Sequence, residues 1–292
     1  MSVAPLVALV GCLEHLQADE DAPLLRDAVA GLGLDARLVA WDDPSVNWTA
    51  FDLVVVRGTW DYIRRPETFL AWVEAVAGHA PLANPAAVIE WNHDKRYLAD
   101  LAAAGLPTVP TTWAPAGQPV DAVAWPDAEV VVKPVVSGGG KDTARYARGE
   151  RAQAVAHIVR LHDDGRTVMV QEYQPAVDRE GELAMVYVGG TFSHAIRKGA
   201  LLRPGAGVVD RLWEQEQLAA AEPTAAQRAA ADATGAELVR RFGAAPTYSR
   251  VDLVTGPAGP LILEVELIDP DLFLRLVPGS GARLARAIAG LT

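Results

Sequence analysis

The chain has 292 residues, enough for one large domain or two to three small ones with a real core. Its 26 Lys and Arg against 37 Asp and Glu give a net charge of −11, which argues against nucleic acid or an anionic membrane as partner. Hydrophobic residues at 50% exclude wholesale disorder, and the single cysteine, Cys12, excludes an internal disulfide and a Cys-based zinc site.

The apolar N-terminal run lacks a basic flank and meets Glu14, Asp19, Glu20 and Asp21 at once, so it reads as a first strand rather than a signal peptide. No apolar run reaches the ~18 residues of a membrane helix. A cytoplasmic chain is expected.

Three units are predicted: residues 1–92, 93–176 and 177–292. In the first, Leu6–Val10, Arg37–Ala40 and Leu53–Val56 read as strands, Ala22–Leu32 as a helix, and Pro66 opens another helix. Strands alternating with helices imply an open, parallel α/β sheet, whose ligands bind beyond the carboxyl ends of the strands. Arg57 stands at such an end, with Trp60 just after it. It reads either as a substrate-anion contact or as part of a surface turn with a stacking Trp.

In the second unit, a helix is expected from Asp94–Lys95–Arg96 to Gly105, then a Pro- and Thr-rich connection over residues 107–126. Lys133 lies in the apolar strand Glu129–Pro134, where an ammonium is costly unless it meets an anion or snorkels to water. Ser137, Gly138, Gly139 and Gly140 follow, a loop whose N–H groups can approach phosphate oxygens or which is only a flexible turn. Lys141 precedes Asp142 rather than Ser or Thr, and no helix opens from the glycines, so neither the P-loop nor the dinucleotide fingerprint is met. After a helix over Arg151–His162, the strand Thr167–Tyr173 ends in Gln171, Glu172 and Tyr173. Such a strand, turning into a linker, supplies an apolar slot and polar partners for an adenine. Asp178, Glu180 and Glu182 follow, as ribose acceptors or as a plain acidic linker.

The third unit begins with two strands about Gly189–Gly190, a hairpin signal. The second strand ends in Arg197 and Lys198, adjacent cations on opposite faces: one on a phosphate, the other on substrate or simply exposed. A mobile loop is expected over Leu201–Arg211, a helix over Thr224–Phe242 and a closing helix over Ala282–Ala289. Between those helices, strands carrying Arg250, Asp252, Glu264 and Glu266 flank a Gly/Pro turn. Pairing about Ala258 sets Asp252 opposite Glu264 and Arg250 opposite Glu266, with Glu264 and Glu266 on one face. Carboxylates so gathered repel one another unless a cation sits between them, and an all-oxygen set suits Mg2+. The alternative is the solvated face of an amphipathic hairpin.

In this order, Lys95, Lys133 with its glycine loop, Gln171–Glu172, Glu182, Arg197–Lys198, Asp252 and Glu264–Glu266 resemble the ATP-grasp superfamily over about residues 93–270. The resemblance implies two α+β subdomains clasping ATP behind an N-terminal α/β domain. It puts Lys95 and Lys133 on the phosphates, the glycine loop over them as a flap, and Gln171, Glu172 and Tyr173 at the adenine. Asp178, with Glu182 nearby, is the choice for the ribose, and Asp252, Glu264 and Glu266 would hold Mg2+ or Mn2+. Glu266 replaces the Asn usual at the end of the last motif. The Arg57–Tyr62 and Glu264–Asp271 segments are similar to those of a small cyclo-ligase subgroup that acts on O-ureidoserine in cycloserine biosynthesis.

That likeness implies a ligase that phosphorylates a small amino-acid-type carboxylate, held near Arg57, Trp60 or Arg250, and closes a C–N bond within the molecule. Lys133, Arg197, Lys198 and Arg250 would serve the reaction. Two other readings stand beside it, an intermolecular carboxylate–amine ligase and an ATP-binding regulatory module without catalysis. The expected partner is a small molecule, whatever the oligomeric state.

Overall fold

The computed structural model describes residues 4–209 and 217–292, so Asp210 and Arg211, the end of the expected mobile loop, lie outside the described residues. Three sheets follow one another along the chain.

The first contains β1 (Leu6–Gly11), β2 (Asp35–Ala40), β3 (Leu53–Gly58) and β4 (Leu82–Ala83), all parallel, in the order β2-β1-β3-β4. The central strands are apolar throughout because both faces are covered. Val7, Leu9, Leu53 and Val55 pack toward α1 (Asp21–Ala30), while Ala8, Val10, Val54 and Val56 pack toward α2 (Pro66–Ala77). Next come α3 (Ala86–Asn92) and α4 (Tyr97–Ala103). The helix expected from Asp94 thus begins three residues later.

The second sheet is antiparallel, β5 (Thr111–Ala114), β6 (Val130–Pro134), β7 (Ala144–Tyr146) and β8 (Val168–Glu172) in the order β5-β8-β6-β7, with α5 (Arg151–Asp163) on one face. Strand β5 falls inside the stretch expected to be only a connection. Its four residues are too few, among prolines, to show an alternation.

After the short α6 (Val177–Glu180), the third sheet holds β9 (Glu182–Val188), β10 (Thr191–Lys198), β11 (Leu218–Ala221), β12 (Tyr248–Gly256) and β13 (Gly259–Glu266) in the order β11-β10-β9-β12-β13. Val188 pairs with Thr191 across Gly189 and Gly190, both at positive φ, as a two-residue hairpin of opposite-handed turn residues requires. Helix α7 (Ala225–Phe242) backs this sheet, and α8 (Ser280–Ala289) returns to pack on α1 of the first unit.

Side-chain amides join the units. Asn84, fully buried, donates to the carbonyls of Tyr248 and Leu267 and accepts from the Thr247 N–H. Asn92 exchanges hydrogen bonds of 2.8 Å with the backbone of Val265 and Leu267. The second sheet joins the third where Val109 N–H meets the Ile262 carbonyl at 3.0 Å. These joints bring the carboxyl end of β3, the face of β6 and the β12–β13 hairpin around one cleft.

Candidate active site

The cleft has a volume of about 520 Å3 and takes residues from all three units. Its chemistry divides into an apolar slot, a charged middle and a mixed far end.

The slot lies between the second and third sheets. Val109, Val131, Tyr173, Val177 and Val254 form a small apolar cluster separate from the main cores. Gln171 points into it from β8, buried, with its amide nitrogen donating to the Thr111 hydroxyl at 3.2 Å. Its carbonyl oxygen is buried with no partner, an acceptor left for something else. Glu172, Tyr173 and Gln174 continue the wall.

In the middle, basic and acidic side chains alternate. Lys95 Nζ is 2.9 Å from Glu264 and also donates to the Ser137 carbonyl, so it ties the hairpin to the glycine loop. Lys198 bridges Glu182 at 2.8 Å and Asp252 at 2.7 Å. Arg250 holds Asp252 through Nε at 2.8 Å and meets Glu266 with the other arm of its fork. Glu266 is pushed up to about 8 by burial, with Glu264 and Asp252 adding to the effect against Arg250. Asp252 is held down at about 2, because Arg250 and Lys198 outweigh its burial.

Lys133 projects from β6 into this group at 9% exposure, with no hydrogen bond or ion pair among the described residues. Burial lowers its pKa, and Glu264 only partly opposes that. Above it, Gly138, Gly139 and Gly140 line the cleft, and the Asp142–Thr143 backbone pairs with Val209 at 2.9 Å.

The far end is built at the carboxyl edge of β3. Arg57, 2% exposed, donates through Nη1 to the Pro270 carbonyl at 3.0 Å, while its buried Nε has no partner. Trp60 donates from Nε1 to the Asp269 carbonyl at 3.2 Å, and Thr59 from its hydroxyl to the Asp269 carboxylate at 3.0 Å.

Most residues singled out from sequence therefore share one cleft: Arg57, Trp60, Lys95, Lys133, Ser137 to Gly140, Gln171 to Tyr173, Glu182, Lys198, Arg250, Glu264 and Glu266. Three expectations need correction. Arg197 lies outside, because neighbouring strand residues face opposite ways; it donates to the Glu180 carbonyl while Lys198 takes the inner face. Asp178 is not in the cleft lining, since α6 turns its carboxylate to Arg145 at 2.7 Å and to the Tyr173 hydroxyl. Gly181, at φ +67, then comes so close to the Lys198 carbonyl that a Cβ would lie 2.1 Å from it, and Glu182 is the acid brought inside.

Third, the described residues contain no group of three Asp, Glu, His or Cys side chains placed to hold a metal. Asp252 does share a face with Glu264, but both its oxygens are taken by Arg250 and Lys198. Sequence reading also missed Asn84, Asn92, Arg145 and Asp269. Their roles rest on partners far away in the chain, and only an isolated Asn before Pro85 hinted at one.

The first 80 or so residues match the family model described as the N-terminal domain of D-cycloserine synthetase DcsG, over residues 7–84. The cycloserine biosynthesis protein DcsG of Streptomyces lavendulae is 39% identical over 97% of this chain and 98% of its own. The chain belongs to the DcsG family of ATP-grasp ligases. The crystal structure of D-cycloserine synthetase DcsG agrees with this fold at a TM-score of 0.90, with 35% identity over 98% of this chain and 100% of that one. A D-alanine–D-alanine ligase from Bacillus anthracis, crystallised with ATP, shares the fold at a TM-score of 0.67 and 12% identity, covering 99% of this chain and 97% of that one. As a member of the family, the chain is an ATP-grasp ligase with the α+β architecture of that fold. No helix among the described residues is long and apolar enough to cross a membrane.

Proposed function

We propose that this ligase closes O-ureidoserine to cycloserine, using ATP to activate the carboxylate. The observation that carries the reading is Lys133: a buried ammonium without a partner, beside Lys95 and Lys198, is a place prepared for a polyanion. The unpaired oxygen of Gln171 supports an adenine in the apolar slot, since it can accept from the ring's amino group. Glu182, rather than Asp178, is then the ribose acceptor.

The donor set fits a hard cation. Burial, with the neighbouring Glu264 and Asp252 charges adding to it, pushes Glu266 up to about 8, and a divalent ion between Glu264 and Glu266 would relieve their share of that repulsion. Those two residues would hold Mg2+, or Mn2+ in its place, while Asp252, on the same face, is held by Arg250 and Lys198. The bound ion supplies neutralisation of phosphate charge.

The chain's own groups do the rest. Lys95, Lys133 and Lys198 stabilise charge on the transferred phosphoryl group by position and electrostatics. Arg57 and Arg250 hold the substrate carboxylate for attack on the γ-phosphorus, giving an acyl phosphate and ADP. The glycine loop covers the phosphates and excludes water. The oxygen-bound nitrogen of the same molecule's ureido group then displaces phosphate, a step favoured by proximity within a confined end of the cleft. Hydrolysis of the carbamoyl group left on that nitrogen releases carbon dioxide and ammonia to give cycloserine.

The test is mass spectrometry of products and ADP release with ATP, Mg2+ and O-ureidoserine, against pairs of amino acids. ADP and a ring product from the single substrate support the reading. A requirement for a second amine identifies an intermolecular ligase instead, and no ADP with any substrate identifies an inactive binding module.

A further inference from the structure

The far end of the cleft holds more carboxylates than a plain carboxylic acid substrate needs. Asp19, Glu20, Asp269 and Asp271 all line it. Three are satisfied. Asp19 accepts from the Asp21 and Ala22 N–H groups at 3.0 and 3.1 Å, as a helix cap does. Glu20 and Asp271 are ion-paired to Arg275, at 2.9 and 3.2 Å. Asp269 differs. One oxygen, Oδ2, is fixed by the neutral Thr59 hydroxyl at 3.0 Å, its main-chain carbonyl is fixed by Trp60, and Oδ1 has no hydrogen-bond partner among the described residues.

Opposite in charge and next to it in space is Arg57, which binds the carbonyl of Pro270, the residue after Asp269. Arg57 spends Nη1 on the Pro270 carbonyl rather than on the Asp269 carboxylate, and keeps its Nε unbonded. Two opposite charges close together, each with an unspent polar atom, form a receptor for a zwitterion. A partly buried carboxylate locked by a neutral donor is costly unless a cation completes it.

We propose that Asp269 accepts the amino group of the substrate, so that with Arg57 on the substrate carboxylate the cleft selects an amino acid over the same acid lacking the amine. The inference rests on the substrate reading given above and deepens it. Asp269 acts on recognition and orientation; no proton or bond is transferred through it. The contribution is differential, because the analogue without the amine leaves Asp269 unpaired, and unpaired buried polar groups are what give such sites their discrimination.

The test compares kcat/KM for O-ureidoserine and for 3-(ureidooxy)propanoate, its deamino analogue, in the wild-type chain and in Asp269→Asn. The wild type should prefer the aminated compound by at least about 100-fold. In Asp269→Asn the preference should fall to about threefold or less, through a raised KM for the aminated compound with kcat changed far less. Equal losses on both compounds, with the preference intact, overturn the inference. Turnover of neither compound by the wild type overturns the substrate reading, and this inference with it. An ATP-dependent thermal shift checks that the variant folds. If it does not, Thr59→Val keeps the charge and frees Oδ2; it should raise KM for the aminated compound alone, and an unchanged preference and KM overturn the inference.

Discussion

The Lys95 ammonium stands 2.9 Å from Glu264, whereas Lys133, in the same cleft and close enough to feel that carboxylate, bonds to nothing among the described residues. The two lysines are therefore not equivalent. Lys95 is already neutralised by Glu264 and braces the glycine loop. Lys133 waits, and its burial is a standing cost that an incoming triphosphate repays.

Lys133→Met should separate stability from activity. The thioether chain fills a similar volume without the charge, so thermal denaturation without nucleotide should show Tm unchanged or raised by about 2–4 °C. ADP release should fall by roughly 100-fold or more, the usual loss when one preorganised electrostatic partner of a transition state is removed. A variant that loses stability and activity together would mean that Lys133 is structural.

Much of the site was legible because its residue types are expensive where they stand. A lysine in the Val-rich β6 and carboxylates in a buried hairpin announce a ligand whatever the fold. The pairing of Asp252 with Glu264 was reached by a different route from the one the chain takes. The expected symmetry about Ala258 assumed a plain ladder; the structure has Gly256 paired with Gly259 and a register shift after Asp252 that leaves Leu263 extra. The bulge restores the same partners. What stayed hidden depends on direction or distance. Strand alternation separates Arg197 from Lys198 but does not say which one faces inward, and the α6 turn that sends Asp178 away has no pattern of its own. Asp269 looks like any loop acid until Thr59, 210 residues away, is seen beside it.

The metal proposal predicts unequal effects from two acids, one inside the cleft and one outside it. Glu264→Gln removes a cleft carboxylate and the partner of Lys95. Glu180→Gln removes an acid that accepts from the Thr255 hydroxyl at 2.7 Å outside the cleft. Steady-state ADP release across a Mg2+ titration should fall by roughly 100-fold or more for the first and within about twofold for the second. Similar losses would remove Glu264 from the metal set.

Asn84 predicts a stability effect at the joint between units. Its amide makes three hydrogen bonds of 2.7–2.9 Å, two of them buried, to the backbone around Tyr248 and Leu267, and its φ of 44° is a left-handed conformation that Asn tolerates better than Ala. Asn84→Ala leaves those backbone groups buried and unpaired and adds strain, costing about 3–5 kcal/mol. Asn84→Gly keeps the loss but removes the strain, so it should be about 1 kcal/mol less damaging. Urea denaturation of the three chains measures both differences, and equal midpoints would show that the joint does not depend on Asn84.

The pH dependence follows from Asp269, which burial pushes up to about 7. The Thr59 hydrogen bond, Arg57 and Lys95 oppose that rise and Asp61 adds to it, while the buried Tyr62 and Tyr248 hydroxyls stay neutral. Its pKa in the folded chain lies above that of a free carboxyl, so the fold prefers it protonated. The stability it contributes is complete below about pH 4 and is lost as pH rises through about 7. Recognition of an ammonium runs the other way, because only the ionised carboxylate binds it well. KM for the aminated substrate should fall as pH rises through 7, by about tenfold per unit on the acid side, while Tm declines over the same range. Asp269→Asn should flatten that limb of the kcat/KM profile between pH 5.5 and 8.5 and lessen the fall in Tm. A profile that keeps its acid limb in the variant would assign the titration to another group.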